Sequence, residues 1–269
     1  MDEPRAARQG HAASRLFVEV IPPDAREVTL VGPRRHYVCE VLRMRRGDPL
    51  VLFDGSGWQY AAVLLDVTSR LARVGILERV PGKADSPLWL LLAVGLLKAQ
   101  KMDLVIQKAS ELGAAEICPV AAARSVPVLP SERSEPRLRR WRKIAEEASR
   151  QSGRASVAEI RPVSSLDETL TRRPEVDLGL LFTASAPSNL GLPAGAQTRS
   201  PPRRILLLVG PEGGFTAQEE AAALAAGFVA AGLGPRILRA ETAAILAVAL
   251  AQYQFGDLRD LTGAGLPGT

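Results

Sequence analysis

Two stretches near the C-terminal end combine residue types and spacings suited to holding a small ligand beside reactive side chains. The first is LLLVGPEGGFTAQEE, residues 206–220. An apolar run breaks into Gly210-Pro211-Glu212-Gly213-Gly214, and Thr216 followed by Glu219 forms a capping box that predicts a helix start. Glycines permit positive φ and let a backbone approach a ligand closely. The stretch lacks the Gly-Lys-Ser/Thr ending of a phosphate-binding P-loop, and it is not a GxGxxG fingerprint. A plain tight turn stays open as the alternative for such a Gly-Gly pair. The second stretch, LGPRILRAETAAILAVAL at 233–250, joins another glycine loop to Arg239 and Glu241 and then to a helix so uniformly apolar that it reads as buried. Arginine stabilises a developing anion and a carboxylate takes or relays a proton. Here the two residues either stand beside a ligand or merely pair with each other and cap the helix.

The elements around these stretches alternate between strand and helix after Pro87, the pattern of βαβ units about a parallel sheet. The run LWLLLAVGLL has no polar face, as expected of a strand covered on both sides. In the helix that follows, Met102, Val105, Ile106, Ala109 and Leu112 make one stripe, and Gly113 is placed to end it. Strand AEICPV, a helix with Trp141, Ile144, Ala145 and Ala148 on one face, and strand VAEIRPV come next. A capping box from Ser165 to Glu168 starts a third helix. Strand DLGLLFT leads into a long Ser/Pro/Gly/Ala-rich loop at 184–204, and strand ILLLV delivers the chain to Gly210. Ligands of open α/β sheets sit at the carboxyl ends of strands, where this loop falls.

Residues 15–80 read differently. RLFVEV, EVTLV, DPLVLFDG, QYAAVLLDV and RLARVGILERV are strands, interrupted by one short helix in HYVCEVLR, which predicts a small β-barrel. Residues 81–87 read as a linker, and 1–14 and 257–269 as tails, the first of them disordered. At 269 residues with 46% hydrophobic content, two domains with real cores are expected. The opening residues have no apolar core for a secretory signal, and the longest apolar run, 88–97, is about half of the roughly 20 residues that a membrane helix needs. A soluble chain is therefore expected. Cys39 and Cys118 each lie in an apolar stretch and read as buried thiols rather than a disulfide or metal site, which fits a reducing cytoplasm. No metal cluster is visible. A net charge of +5 and a pI near 9.6 suit a polyanionic partner, and equally a basic soluble enzyme.

With these residues in view, GPEGGF followed by LG-PRILRAETA resembles the cofactor loops of the SPOUT class of RNA methyltransferases. More narrowly, the chain resembles the branch that methylates N3 of a uridine in 16S rRNA. The blocks RLFV, 36–43 with Gly47-Asp48, KAQKMDLVIQKASELGAAEICPV, Arg124-Ser125-Val126 and Gln151-Ser152-Gly153-Arg154 follow in that family's order. The family often has Glu before Arg-Ser-Val and Thr before Glu-Thr-Ala, where this chain has Ala123 and Ala240.

The resemblance implies a SPOUT-type α/β domain at 88–256 with a deep C-terminal trefoil knot, preceded by a PUA-like β-barrel at 15–80. It implies S-adenosyl-L-methionine as cofactor, held by Leu181, Phe182, Thr183, Gly210, Pro211, Glu212, Gly213, Gly214, Leu233, Gly234, Ile237, Leu238, Arg239 and Thr242. Uridine N3 has no free lone pair until its weakly acidic proton leaves, so Arg239 would stabilise the uridine anion while Glu212 or Glu241 moves the proton. Arg15, Arg34, Arg35, Arg43, Arg124, Gln151 and Arg154 would meet the RNA, the basic positions of the barrel alternatively being ordinary solvated surface. Partners would be small-subunit rRNA or the assembled 30S subunit, and a second copy of the chain. Two rivals remain: ribose 2′-O methylation by another branch of the same fold class, and a non-catalytic ribosome assembly factor.

Overall fold

The computed structural model describes residues 14–82, 85–126, 131–184, 186 and 201–258. The expected tails, apart from Ser14, Asp257 and Leu258, and most of the 184–204 loop lie outside the described residues. The chain divides into two compact units: Met1–Ala84 with Gly153–Ser156, and Asp85–Ser152 with Val157–Thr269.

The smaller unit is a five-stranded mixed sheet. It contains β1 (Ser14–Phe17), β2 (Glu27–Val31), β3 (Pro49–Phe53), β4 (Trp58–Val67) and β5 (Leu71–Pro81), ordered β1-β3-β4-β5-β2. Alternation along β4 turns Tyr60, Ala62 and Leu64 inward onto Leu30, Leu52 and Val74. The helix expected in HYVCEVLR is a short α1 (Gly32–His36) that runs into one π-helical turn at Tyr37–Val41 and buries Val38. The excursion 153–156 joins this unit: Gly55 and Ser56 bridge to Ser156, and an Arg15 Nη2 donates to the Arg154 carbonyl at 2.8 Å.

The larger unit is built on seven strands: β6 (Trp89–Gly95), β7 (Glu116–Ala121), β8 (Glu159–Ile160), β9 (Ser164–Ser165), β10 (Leu178–Phe182), β11 (Arg204–Val209) and β12 (Val229–Ala231). Every pairing is parallel, in the order β12-β10-β11-β6-β7-β8, with β9 also on β7. The helices are α2 (Ala99–Glu111), α3 (Ser131–Ser152), α4 (Leu166–Leu170), α5 (Ala217–Ala225) and α6 (Ala240–Phe255). Successive β6 side chains serve opposite cores. Leu90, Leu92 and Val94 pack with α2, α3 and α6, while Leu91 and Ala93 pack with α4 and α5. Each such leucine, fully buried, contributes about 1.5–3 kcal/mol. Both faces are therefore covered, which explains a strand without polar positions.

Both expected capping boxes form, Ser165 with Glu168 and Thr216 with Glu219. β12 went unforeseen because three small residues after a turn carry no alternation. On α6, the expectation of a buried helix is met on one side only. Ala240, Glu241, Ala244, Ala247, Val248, Ala251 and Gln252 are buried, whereas Leu246, Ala249 and Leu250 are half-exposed and Tyr253 is 59% exposed.

Candidate functional site at the carboxyl edge of the parallel sheet

Because all strands of the larger unit run one way, the segments that leave β7, β6, β11, β10 and β12 emerge along one edge in that spatial order. They are 122–126, 96–98, 210–216, 183–184 and 232–239. Glycine is required where two of them touch. A Cβ at Gly95 would stand 2.4 Å from both Cδ and N of Pro211, so the end of β6 and the 210–214 turn approach too closely for any side chain. The turn itself closes with the Gly214 N–H donating to the Pro211 carbonyl at 2.9 Å. Gly214 has φ 66° and would meet nothing within 4 Å on its Cβ side, leaving bare backbone toward open space.

Side chains fasten this turn to its neighbours. Arg124 Nη1 donates to the Gly213 carbonyl at 3.0 Å, and Glu219 accepts from the Ala123 N–H at 2.7 Å while capping α5 through Thr216. Position 123 thus contributes through its backbone, so the missing glutamate side chain is not needed for this contact. Thr183 Oγ1 pairs with Glu220 at 2.6 Å, and the Thr183 N–H donates to Ala231, tying the exits of β10 and β12 to α5.

A charged cluster lies at the same edge. Lys101, in the first turn of α2, places Nζ 3.2 Å from Glu212 Oε1 and 3.4 Å from Glu241 Oε2. Burial alone would raise the Glu212 carboxyl. Hydrogen bonds from its own backbone, from Lys101 and from the Lys98 backbone more than offset this, and hold it below the usual glutamate range. Its place at the start of α2 also suits the helix dipole. The hydrogen bond to Glu212 pushes Lys101 above the ordinary lysine value, with burial working against it. Glu241 is 8% exposed, and its Oε2 has an ion-pair neighbour but no hydrogen bond of good geometry.

The carboxylates therefore meet Lys101, not Arg239, which settles the pairing that the sequence left open. Arg239 is exposed at the N-terminal boundary of α6, one residue before a buried Ala240. Lys101 was missed because its two partners are remote in sequence; the one available signal was its place in the KAQKMD block. Leu181 is buried, Phe182, Thr183, Leu233, Gly234 and Leu238 are half-buried, and Thr242 and Ile237 are exposed, Ile237 at 95%.

The expected RNA-facing residues are scattered. Arg34 pairs with Glu19 and Arg35 with Glu40, Arg43 is exposed with φ 52°, and Gln151 is exposed at the end of α3. Arg154, expected to face RNA, is instead 4% exposed, with Nη2 donating to Ser156 Oγ. Arg15 is half-buried, stacks on Phe53 and donates to Gln59. A separate groove of about 870 Å³ runs between α2 and α3, past Leu104, Ile144 and Gln151, and includes none of the glycine loops. Among the described residues no cluster of His, Cys, Asp or Glu could hold a metal ion, and no helix is long and apolar enough to cross a membrane.

Comparison with known proteins gives one consistent result. Residues 84–252 match the model of a family described as RNA methyltransferase domain. The chain is 32% identical over 251 residues to ribosomal RNA small subunit methyltransferase E of Bacillus subtilis, covering 91% of this chain and 98% of that one. It is 34% identical to the Mycobacterium bovis protein of the same name, over 88% and 90% of the two chains. Among solved structures, the Neisseria gonorrhoeae methyltransferase E bound to S-adenosyl methionine superposes with TM-score 0.81 at 33% identity, covering 92% of this chain and all of that one. A Legionella pneumophila putative methyltransferase in complex with bound SAM gives 0.82 at 30% identity, with the same coverage.

Proposed function

The chain belongs to the ribosomal RNA small subunit methyltransferase E family, and on that premise we propose that it transfers the methyl group of S-adenosyl-L-methionine to N3 of a specific uridine in 16S rRNA, within the assembled small subunit. The observation that carries this reading is the gathering of the Gly210, Thr183 and Leu233 segments at one sheet edge, beside a buried Glu241 oxygen without a hydrogen bond. These residues fit the cofactor. Bare glycine backbone offers close approach, and the Glu241 oxygen retains capacity to accept a hydrogen bond. When bound, the cofactor supplies an electrophilic methyl group on a sulfonium.

The chain's own groups do the rest. Arg239, exposed and unclaimed by either carboxylate, stabilises the uracil anion once the N3 proton departs. Glu212 is saturated by donors and held ionised, so it is a weak base. Glu241, whose Oε2 has only the looser Lys101 contact at 3.4 Å, is the better placed acceptor for the N3 proton or its relay. The target base leaves its stack to enter. Arg34, Arg35, Arg43, Arg124 and Gln151 supply grip on the RNA, while Arg15 and Arg154 stiffen the framework of the smaller unit.

Within the same reading, the larger unit at 88–256 is a SPOUT domain whose C-terminal segment forms a deep trefoil knot. The addition of β12 beyond β10, followed by return of α6 onto β11 and β6, supports such a crossing. The smaller unit at 15–80 is PUA-like, and the protein works in the cytoplasm as a homodimer. Leu246, Ala249 and Leu250, half-buried, and the exposed Tyr253 form the less covered apolar side of α6, the surface that a second copy would bury.

The test is transfer of labelled methyl from S-adenosylmethionine to 16S rRNA and to 30S subunits lacking the modification, with mass spectrometry of the nucleosides. Label in 3-methyluridine, greater with subunits, is expected. Label in a 2′-O-methyl nucleoside would overturn the target atom, and cofactor binding without transfer to either RNA would point to an assembly factor.

A further inference from the structure

Lys101 lies outside every residue set considered for the reaction, yet it touches both carboxylates of the site. It is the third residue of α2, and its Nζ stands within 3.4 Å of oxygens from two other elements: Glu212 in the turn after β11, and Glu241 in the first turn of α6. Its side chain is 33% exposed, against 28% for Glu212 and 11% for Glu241, so water screens this contact only in part. We propose that Lys101 is a positioning residue for methyl transfer, a cationic clasp that keeps the cofactor turn 210–214 and the Arg239 end of α6 in register by neutralising two carboxylates that would otherwise repel. This inference rests on the function proposed above and adds the device that aligns its two halves.

The surroundings leave Lys101 alone in this role. On its own helix, Asp103 turns to α3 and is engaged by Arg140 at 2.6 Å. From α6 the charged groups are Glu241 and the exposed Arg239, and from the β11 turn Glu212. Lys98 contributes its backbone to Glu212. Without the ammonium, two carboxylates that converged on one nitrogen face each other with no shared counter-charge, and like charges at such range force one of them to hold its proton to higher pH. The sign follows. Above that raised pKa both carboxylates are ionised and repel, so the turn and helix separate. Below it one is neutral, and register returns.

The experiment is calorimetric binding of S-adenosylmethionine across pH, with single-turnover methylation alongside. For Lys101→Met, binding should weaken about tenfold near pH 8 and recover toward wild type as the pH falls toward about 5, whereas wild-type binding stays level over that range. Lys101→Arg should behave as wild type. The double variant Lys101→Met with Glu212→Gln should bind better than Lys101→Met at about pH 8 and lose the pH dependence, because one charge of the repelling pair is gone. A Lys101→Met defect that is equal at all pH values, or is not relieved by Glu212→Gln, would reduce Lys101 to ordinary packing and overturn the proposal. So would wild-type binding and turnover in Lys101→Met. Thermal unfolding of each variant separates misfolding from misalignment, and the arginine variant keeps the test decisive if the methionine variant does not fold. Failure of the wild-type protein to bind the cofactor or methylate RNA would instead strike the underlying function.

Discussion

At the scale of single residues, the site depends on a division of labour between cations. Lys101 is committed to Glu212 and Glu241, while Arg239 is exposed at the N-terminal end of α6. Replacement of Arg239 by alanine should lower the single-turnover methylation rate by about 10²-fold or more while S-adenosylmethionine affinity changes little, because an anion-stabilising group acts chiefly in the transition state. Stopped-flow quench and calorimetry measure the two separately, and a loss confined to affinity would make Arg239 a cofactor-binding residue. The candidate residues in the glycine stretches were legible because their chemistry is local: a turn, a cap, an arginine and glutamate at a helix mouth. What the residues actually touch was not. Glu241 has a neighbouring arginine in sequence but a lysine from α2 in space, and Arg154, expected to face RNA, is buried.

At the scale of elements, the site is an edge rather than a pocket cut into one segment. Five parallel strands end together, and the contact between Gly95 and Pro211 sets how closely the end of β6 meets the cofactor turn. A methyl group added at position 95 has no room beside a proline ring and a backbone nitrogen, neither of which can rotate away. Gly95→Ala should therefore cost about 1–3 kcal/mol of stability by overpacking, measurable by urea denaturation. It should also weaken S-adenosylmethionine binding, since the 210–214 turn is the part that must yield. Unchanged binding in a destabilised variant would mean that β6 moves instead. Most of these elements could be read from period and caps, as with the stripe Met102 to Leu112 or the box at Thr216. β12 could not, because Val229–Ala231 becomes a strand only by pairing with β10, a contact that no local pattern encodes.

At the scale of the molecule, α6 presents two apolar sides, one buried by the described chain and the other, with Leu246, Ala249 and Leu250, covered only in part. If a second copy covers the other, Leu246→Asp should convert a dimer into a monomer in sedimentation equilibrium while α6 stays folded by circular dichroism; a wild-type monomer would remove the argument. The return of 153–156 to the smaller unit has a different kind of consequence. The rest of that unit precedes residue 85, yet the carbonyl of Arg154 that receives Arg15, and the Ser156 that bridges to Gly55 and Ser56, are made only after α3. At roughly 5–20 residues per second, a translating ribosome needs several seconds more to deliver them after Ala84. During birth these contacts of the smaller unit close only after a piece synthesised in the midst of its neighbour has arrived.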